Sequence, residues 1–169
     1  MFPKLAGLEE EEANDLAIRA CRNTLFVASI PALGILLLGR IAIRIMYGAE
    51  FLPSCQALYL LLPGTLAMCV YMILSRYFTS KNKQQVTIMA GIIGLTVNVA
   101  LNLILIPRFG IAGAAIATTS SYSITAFLML FCFVRESGCE LLECVIIRRA
   151  DISDFLKILH EGFLQRVRA

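Results

Sequence analysis

Long apolar runs without charge, separated by short polar breaks, dominate the pattern of this chain. Three stretches contain no Asp, Glu, Lys or Arg: 51–75, 84–107 and 109–134. Each is longer than the roughly 20 residues that a helix needs to cross a hydrocarbon core about 30 Å thick. A fourth apolar run, 23–39, is slightly short. It extends to Tyr47 if Arg40 and Arg44 reach the interface with their charged ends or face a polar interior.

These runs predict an all-α fold, namely a polytopic membrane helical bundle. Four transmembrane helices are expected within a domain at 23–135, at about 23–47, 54–78, 84–107 and 111–134. The polar segment 1–22 is interpreted as a solvated cytoplasmic lead-in that becomes helical towards its end. The segment 136–169 is predicted to be a cytoplasmic tail with an amphipathic helix, because apolar residues recur in it at helical spacing.

The distribution of lysine and arginine predicts the orientation of the spans. Nine basic residues are expected on one side: Lys4, Arg19, Arg22, Arg76, Lys81, Lys83, Arg135, Arg148 and Arg149. Three are expected on the other: Arg40, Arg44 and Arg108. Because cytoplasmic loops carry the excess of positive charge, both termini are predicted to face the cytoplasm. The expected location is the cytoplasmic, or inner, membrane.

Composition narrows the classes of function. Hydrophobic residues make up 59% and charged residues 16% of the chain, against roughly 45–50% and 25% in ordinary soluble domains. The net charge of +3 is small and no basic run is interleaved with aromatics, so nucleic acid is not an expected partner. The six cysteines are scattered and the one histidine stands near the end, so neither a metal site nor a cofactor is predicted. No group of residues suits nucleophilic or acid–base catalysis, and an enzyme is not expected.

Two asparagines in the third predicted span are the main candidate site residues. Asn98 and Asn102 lie one helical turn apart and share a face, and a buried amide in the bilayer needs a partner. They could line a polar transport path, or they could lock the helix to its neighbours by hydrogen bonds, which we favour. Thr118 and Ser121 belong to a cluster of hydroxyl residues in the fourth span. Packing is the default interpretation, although part of the cluster is expected to border water.

The remaining candidate residues are expected to shape and anchor the helices rather than to bind a substrate. Pro107 and Gly110 are expected to form a tight hairpin between the last two spans. Gly113 and Ala117 form a small-residue pair that permits close approach of helices. Arg40 and Arg44 lie four residues apart on one face, which would suit contact with an anionic headgroup. We favour simple anchoring at the outer interface.

The order of asparagine, proline, glycine and alanine residues resembles a known family. The motif is Asn98-x3-Asn102-x3-Ile106-Pro107-x2-Gly110-x2-Gly113-Ala114-Ala115-x-Ala117-Thr118. It is similar to the C-terminal half of polysaccharide and oligosaccharide flippases of the multidrug/oligosaccharidyl-lipid/polysaccharide exporter superfamily. Multidrug exporters and lipid II flippases carry related versions. The resemblance covers nearly all of residues 1–136.

The resemblance implies a carrier that moves undecaprenyl-diphosphate-linked glycans between leaflets by alternating access. Members of the superfamily typically have two lobes and a dozen or more helices, whereas four spans correspond to part of the C-terminal lobe. The chain is therefore interpreted as a C-terminal fragment whose partners are the lipid bilayer and either a missing N-terminal lobe or other copies. Two alternatives remain open: part of a multidrug/cation antiporter, or a non-transporting scaffold subunit. The absence of intramembrane carboxylates in the four spans favours the flippase.

Overall fold

Helices make up nearly all of the part of the chain that the computed structural model describes, residues 10–139. They are α1 (Glu10–Tyr47), α2 (Ser54–Ser80) and α3 (Gln84–Ser137), with a short 3₁₀ helix at Ala49–Phe51 after α1. Within these described residues, all three α-helices are long and apolar enough to cross a membrane. The predicted class, an all-α membrane helical bundle, is confirmed.

The third helix folds back on itself at Gly110. This residue has φ 55° and ψ −130° inside α3, a conformation that residues with a Cβ rarely adopt. Asn98 and Ser121 are 23 residues apart, which would separate them by about 35 Å in a straight helix. Their side chains are instead hydrogen-bonded at 3.1 Å. The helix is thus a hairpin with a first arm at 84–109 and a second arm at 111–137.

The turn of this hairpin is tighter than the sequence predicted. A break over 107–110 was expected, but Pro107 stays inside the helix and the non-helical dihedral angles are confined to Gly110. Proline has no backbone N–H, so Pro107 leaves one carbonyl of the preceding turn without its helical donor. So close to the end of the arm, this loss does not by itself end the helix. The predicted hairpin is present, with glycine alone making the turn.

The connections place the helix ends in two groups. The loop after α1, with its 3₁₀ helix, lies at the same end of the bundle as Gly110, and we call this the Gly110 end. The turn between α2 and α3 lies at the opposite end, which we call the Lys83 end. Asn82 has φ 58° in that turn, and Lys83 forms a 2.9 Å salt bridge to Glu136 near the end of the second arm.

The first helix begins earlier than the predicted span at residue 23. It includes residues 10–22, and one face of this part is buried in the bundle rather than solvated, as Ala13, Ala17 and Cys21 show. These small residues recur every four positions and bring one stripe of α1 against α2. The predicted boundary at 22/23 therefore marks a change of composition within a continuous helix. Of the predicted tail at 136–169, all but the first four residues lie outside the described part.

Large side chains form the core at the Lys83 end. Leu74, Tyr77, Phe78, Met129 and Phe133 are almost completely buried there. The rings of Tyr77 and Phe133 meet edge to face, with centroids 4.9 Å apart, an arrangement that aromatic pairs prefer. The Tyr77 hydroxyl donates a 2.6 Å hydrogen bond to Asn14 Oδ1 in α1. This core joins α1, α2 and both arms of α3.

Small residues make the contacts nearer the Gly110 end. A Cβ added to Gly113 would overlap the backbone of Leu105 in the opposite arm, so the two arms touch through their main chains. A Cβ on Gly64 would lie 2.7 Å from Thr119 Cα. The α2 helix and the second arm therefore cross at close range beside Pro63. Glycine at such crossings is typical of helices that associate within a bilayer.

Candidate functional site

A chain of side-chain hydrogen bonds connects the two arms of α3 near their middle. Asn102 Nδ2 donates to Asn98 Oδ1 at 2.9 Å, and Asn98 Nδ2 donates to Ser121 Oγ at 3.1 Å. Ser121 in turn donates to the Thr118 carbonyl at 2.9 Å. Four predicted site residues, Asn98, Asn102, Thr118 and Ser121, therefore form one polar row across the hairpin.

The polar row retains an acceptor that is not used. Asn102 Oδ1 is enclosed and receives no hydrogen bond from the described residues. A buried carbonyl oxygen without a donor costs free energy, since it has lost its hydrogen bonds to water.

An open cleft of about 330 Å³ lies alongside this row. Asn98, Thr118 and Ser121 line it from the two arms, and α2 contributes Tyr71 and Met68. Asn98 and Ser121 stand close to the middle of their arms, so the cleft lies deep within the length of the bundle. The hydroxyl and amide groups around it are all uncharged.

Two glycines of the first arm, Gly91 and Gly94, line this cleft, and Gly94 lets Thr125 pack closely against the arm. A Cβ on Gly94 would collide with Thr125 Oγ1 in the second arm. Gly91 faces Tyr71, whose hydroxyl would lie 3.9 Å from an added Cβ. Thr125 itself donates to the Ser121 carbonyl at 2.8 Å, which keeps its hydroxyl satisfied within its own helix.

Arg40 and Arg44 are not part of this site. Both are exposed, and both lie near the Gly110 end in the last part of α1. Gly113 and Ala117 are buried on the second arm, beside rather than inside the polar row. The predicted site residues thus separate into a polar row, a group of packing residues and an exposed basic pair.

The chemistry of the cleft is that of neutral hydrogen bonding. Beside apolar residues such as Met68 and Leu95, its lining offers hydroxyls that both donate and accept, and the carboxamide of Asn98, which does the same. Among residues 10–139 there is no group of three or more His, Cys, Asp or Glu that could hold a metal ion. The arrangement suits a polar, uncharged ligand surface or a polar contact with another helix.

Sequence reasoning missed the contribution of α2 to this cleft. Tyr71 and Met68 were not candidates, because nothing in the local sequence of α2 says which face meets the hairpin. The one available signal was Pro63-Gly64, which marks the close crossing of α2 and fixes the register of the residues that follow. Thr119, which meets Gly64, belonged to the predicted hydroxyl cluster.

Comparison with known proteins decides the family. The family model described as "Lipid II flippase MurJ" matches residues 1–157. The chain belongs to the lipid II flippase MurJ family. This family consists of transporters rather than enzymes, as the sequence predicted, and the predicted relationship to lipid-linked oligosaccharide flippases is confirmed.

One relative from an archaeon supports the same assignment. The chain is 34% identical over 100 residues to the probable low-salt glycan biosynthesis flippase Agl15 of Haloferax volcanii. The match covers 59% of this chain but 21% of that protein, about a fifth of its length. No solved structure matches the chain. A multi-pass membrane protein of the flippase family therefore follows from the comparisons and the apolar helices together.

Proposed function

We propose that this chain forms a C-terminal part of a carrier that translocates lipid-linked glycans across the cytoplasmic membrane by alternating access. Four membrane crossings are proposed: α1, α2 and the two arms of α3. Both chain ends would then lie in the cytoplasm, since six of the nine basic residues between 10 and 139 lie towards the Lys83 end. Family membership supports the transport class.

The observation that carries the proposal is the uncharged polar row in the middle of the hairpin. A glycan headgroup has many hydroxyls, and each one left without a partner in hydrocarbon would cost several kcal/mol. Asn98 and Ser121 line the cleft and offer such partners at mid-depth. In this proposal the polar row either faces the carrier's cavity or holds the hairpin beside it, while the lipid tail stays in the bilayer.

A complete transport cavity requires helices in addition to α1, α2 and α3. The described hairpin has one polar cleft, whereas a sheltered path needs walls on all sides. We propose that these walls come from a second lobe or from other copies of the chain. Purified chain alone should therefore fail to move a fluorescent lipid-linked glycan across reconstituted vesicles.

The test begins with the native assembly. A C-terminal affinity tag on the chain, followed by mild detergent extraction, should recover a polypeptide or complex with more helices, and the recovered assembly should translocate the fluorescent glycan. Asn98→Leu should lower its rate by about tenfold or more, because the polar row loses its central donor and acceptor. Thr96→Val is the matched control, since Thr96 is exposed and bonds to its own backbone at Ile92.

Two results would contradict the proposal. Translocation by the purified chain alone would show that no further lobe is needed. A native assembly that moves no lipid-linked glycan, while remaining folded and membrane-embedded, would remove the flippase function itself.

A further inference from the structure

An apolar groove separates α1 and α2 in the half of the bundle towards the Gly110 end. Its volume is about 420 Å³, and Leu33 and Leu36 of α1 form one wall while Tyr59 and Pro63 of α2 contribute to the other. Leu33 is 57% and Leu36 51% exposed. Nothing within the described residues covers these side chains.

The groove is confined to one half of the length of α1. Towards the Lys83 end, α1 is closed against its neighbours, since Ala13, Ala17 and Cys21 belong to the same buried cluster as Leu74 and Phe78. Towards the Gly110 end the helices make a narrower contact, in which Gly39 packs against Leu58 and Tyr59. The open part of the groove is therefore short, and an acyl chain needs no more than the depth of one leaflet to fill it.

Two arginines lie on the same face of α1 as the residues that line the groove. Ser29, Leu33, Leu36, Arg40 and Arg44 follow one another at intervals of three or four residues and therefore share one face of the helix. Both arginines are exposed, and neither guanidinium group has an ion pair or hydrogen bond among the described residues. Leu33 and Leu36 of the groove thus share one face of α1 with two positively charged side chains, which lie one and two helical turns beyond Leu36.

The length of this face corresponds to one leaflet. Ser29 and Arg40 are separated by about 16 Å along the helix axis, and half of a hydrocarbon core is about 15 Å. Just beyond Arg44, the rings of Tyr47 and Phe51 pack at a centroid distance of 5.9 Å. Aromatic residues concentrate at the level of the headgroups. The arginines therefore lie near headgroup depth and the inner end of the groove near the bilayer midplane.

We propose that this groove binds one anionic phospholipid of the leaflet at the Gly110 end. An acyl chain fills the space between α1 and α2, and the phosphate lies between Arg40 and Arg44. Guanidinium groups bind phosphate through paired hydrogen bonds. A zwitterionic headgroup also has a phosphate, but its own ammonium group offsets the negative charge, so two arginines favour an anionic headgroup. The site is separate from the polar row and does not depend on the proposed transport function.

Photocrosslinking of the full chain in nanodiscs tests the proposal. The probe is phosphatidylglycerol with a diazirine on its acyl chain, compared with the phosphatidylcholine analogue. Labelled peptides should come from 29–36 and 59–66, with phosphatidylglycerol preferred. Each basic residue near a membrane surface contributes about a fivefold preference for anionic lipid. The double variant Arg40→Gln/Arg44→Gln should therefore reduce this preference by about tenfold or more.

Arg108→Gln is the matched control for charge. Arg108 is also exposed and lies beside Gly110 at the same end, but it belongs to α3 and not to the face of α1 that carries Leu33 and Leu36. This variant should keep the labelling pattern and most of the preference. Ala32→Phe tests the groove independently, since Ala32 lines it and a phenyl ring would fill it. Labelling at 29–36 should fall severalfold for both lipids, while the helical circular dichroism of the protein stays unchanged.

Three results would overturn the proposal. The first is equal labelling by the two lipids in the wild-type chain. The second is an equal loss of preference in Arg108→Gln and in the double variant, which would show a general surface charge effect. The third is protection of the groove from both lipids together with a protein crosslink at 29–36, which would identify a second copy or another protein as its occupant.

Discussion

The two ends of the bundle are held together in opposite ways. At the Lys83 end, large side chains such as Tyr77 and Phe133 fill the space between helices. Towards the Gly110 end, Gly113 and Gly64 let backbones meet with almost nothing between them. The two kinds of contact should respond to opposite substitutions: truncation should damage the first, and a single added methyl group should damage the second.

The largest expected effect is at the Lys83 end. Phe133→Ala removes a ring that is fully buried against Tyr77, and truncation of a buried Phe costs about 3–5 kcal/mol. Denaturation of the purified chain in detergent should show this loss. Phe131→Ala is the control, since Phe131 is on the same arm but 51% exposed. If both variants lose similar stability, the core at this end is not where the structure places it.

The next largest effect is expected at the hairpin. Gly113→Ala places a methyl group on the Leu105 backbone, which cannot move aside as a flexible side chain would. Overpacking of this kind costs about 1–3 kcal/mol, and the arms should separate. The same change at Gly34, which has nothing within 4 Å of an added Cβ, is the control.

Spin labels on the two arms would report their separation directly. The distance between labels should increase in Gly113→Ala and stay unchanged in Gly34→Ala. An unchanged distance in both, with unchanged stability, would show that the arms do not touch at Gly113.

The smallest effect is expected where α2 crosses the second arm. The Thr119 hydroxyl donates a 2.5 Å hydrogen bond to the Leu60 carbonyl, in the turn before Pro63. Thr119→Val keeps the shape and removes the bond, and interhelical hydrogen bonds in membranes contribute about 0.6 kcal/mol on average. Thr96→Val, which removes only a bond within one helix, should change stability less. The opposite ranking would contradict the close crossing.

The helices themselves were predictable from the sequence. Charge-free runs of sufficient length identified α2 and both arms of α3, and the proline and glycine at 107 and 110 indicated the hairpin. The segment before residue 23 was expected to become helical, but the burial of one of its faces was not predicted, because Asp15, Arg19 and their polar neighbours are interleaved with a stripe of small residues. Those charges lie on the outer face, where Asp15 and Arg19 form a 2.9 Å salt bridge. The average polarity of residues 10–22 does not distinguish the buried face of the helix from the exposed one.

The candidate site was predictable in part. Asn98 and Asn102 stood out because amides are costly in hydrocarbon, and their shared face followed from their spacing. Ser121 was a candidate together with Thr118, but its hydrogen bond to Asn98 could not be predicted. That pairing depends on the register of the two arms, which one residue, Gly110, determines by making the turn without additional loop residues. The position of Tyr71 at the cleft depends on the contact between α2 and the second arm. It could not be predicted from the sequence either.

The most direct test of the account asks whether α3 crosses the membrane twice. Lys83→Cys and Arg108→Cys, each in a full chain whose native cysteines are replaced by serine or alanine, can be labelled with an impermeant maleimide in sealed vesicles of known orientation. If both arms of α3 cross the membrane, Cys at position 83 reacts from the cytoplasmic side and Cys at position 108 from the opposite side. Reaction of both from the same side would contradict the hairpin crossing.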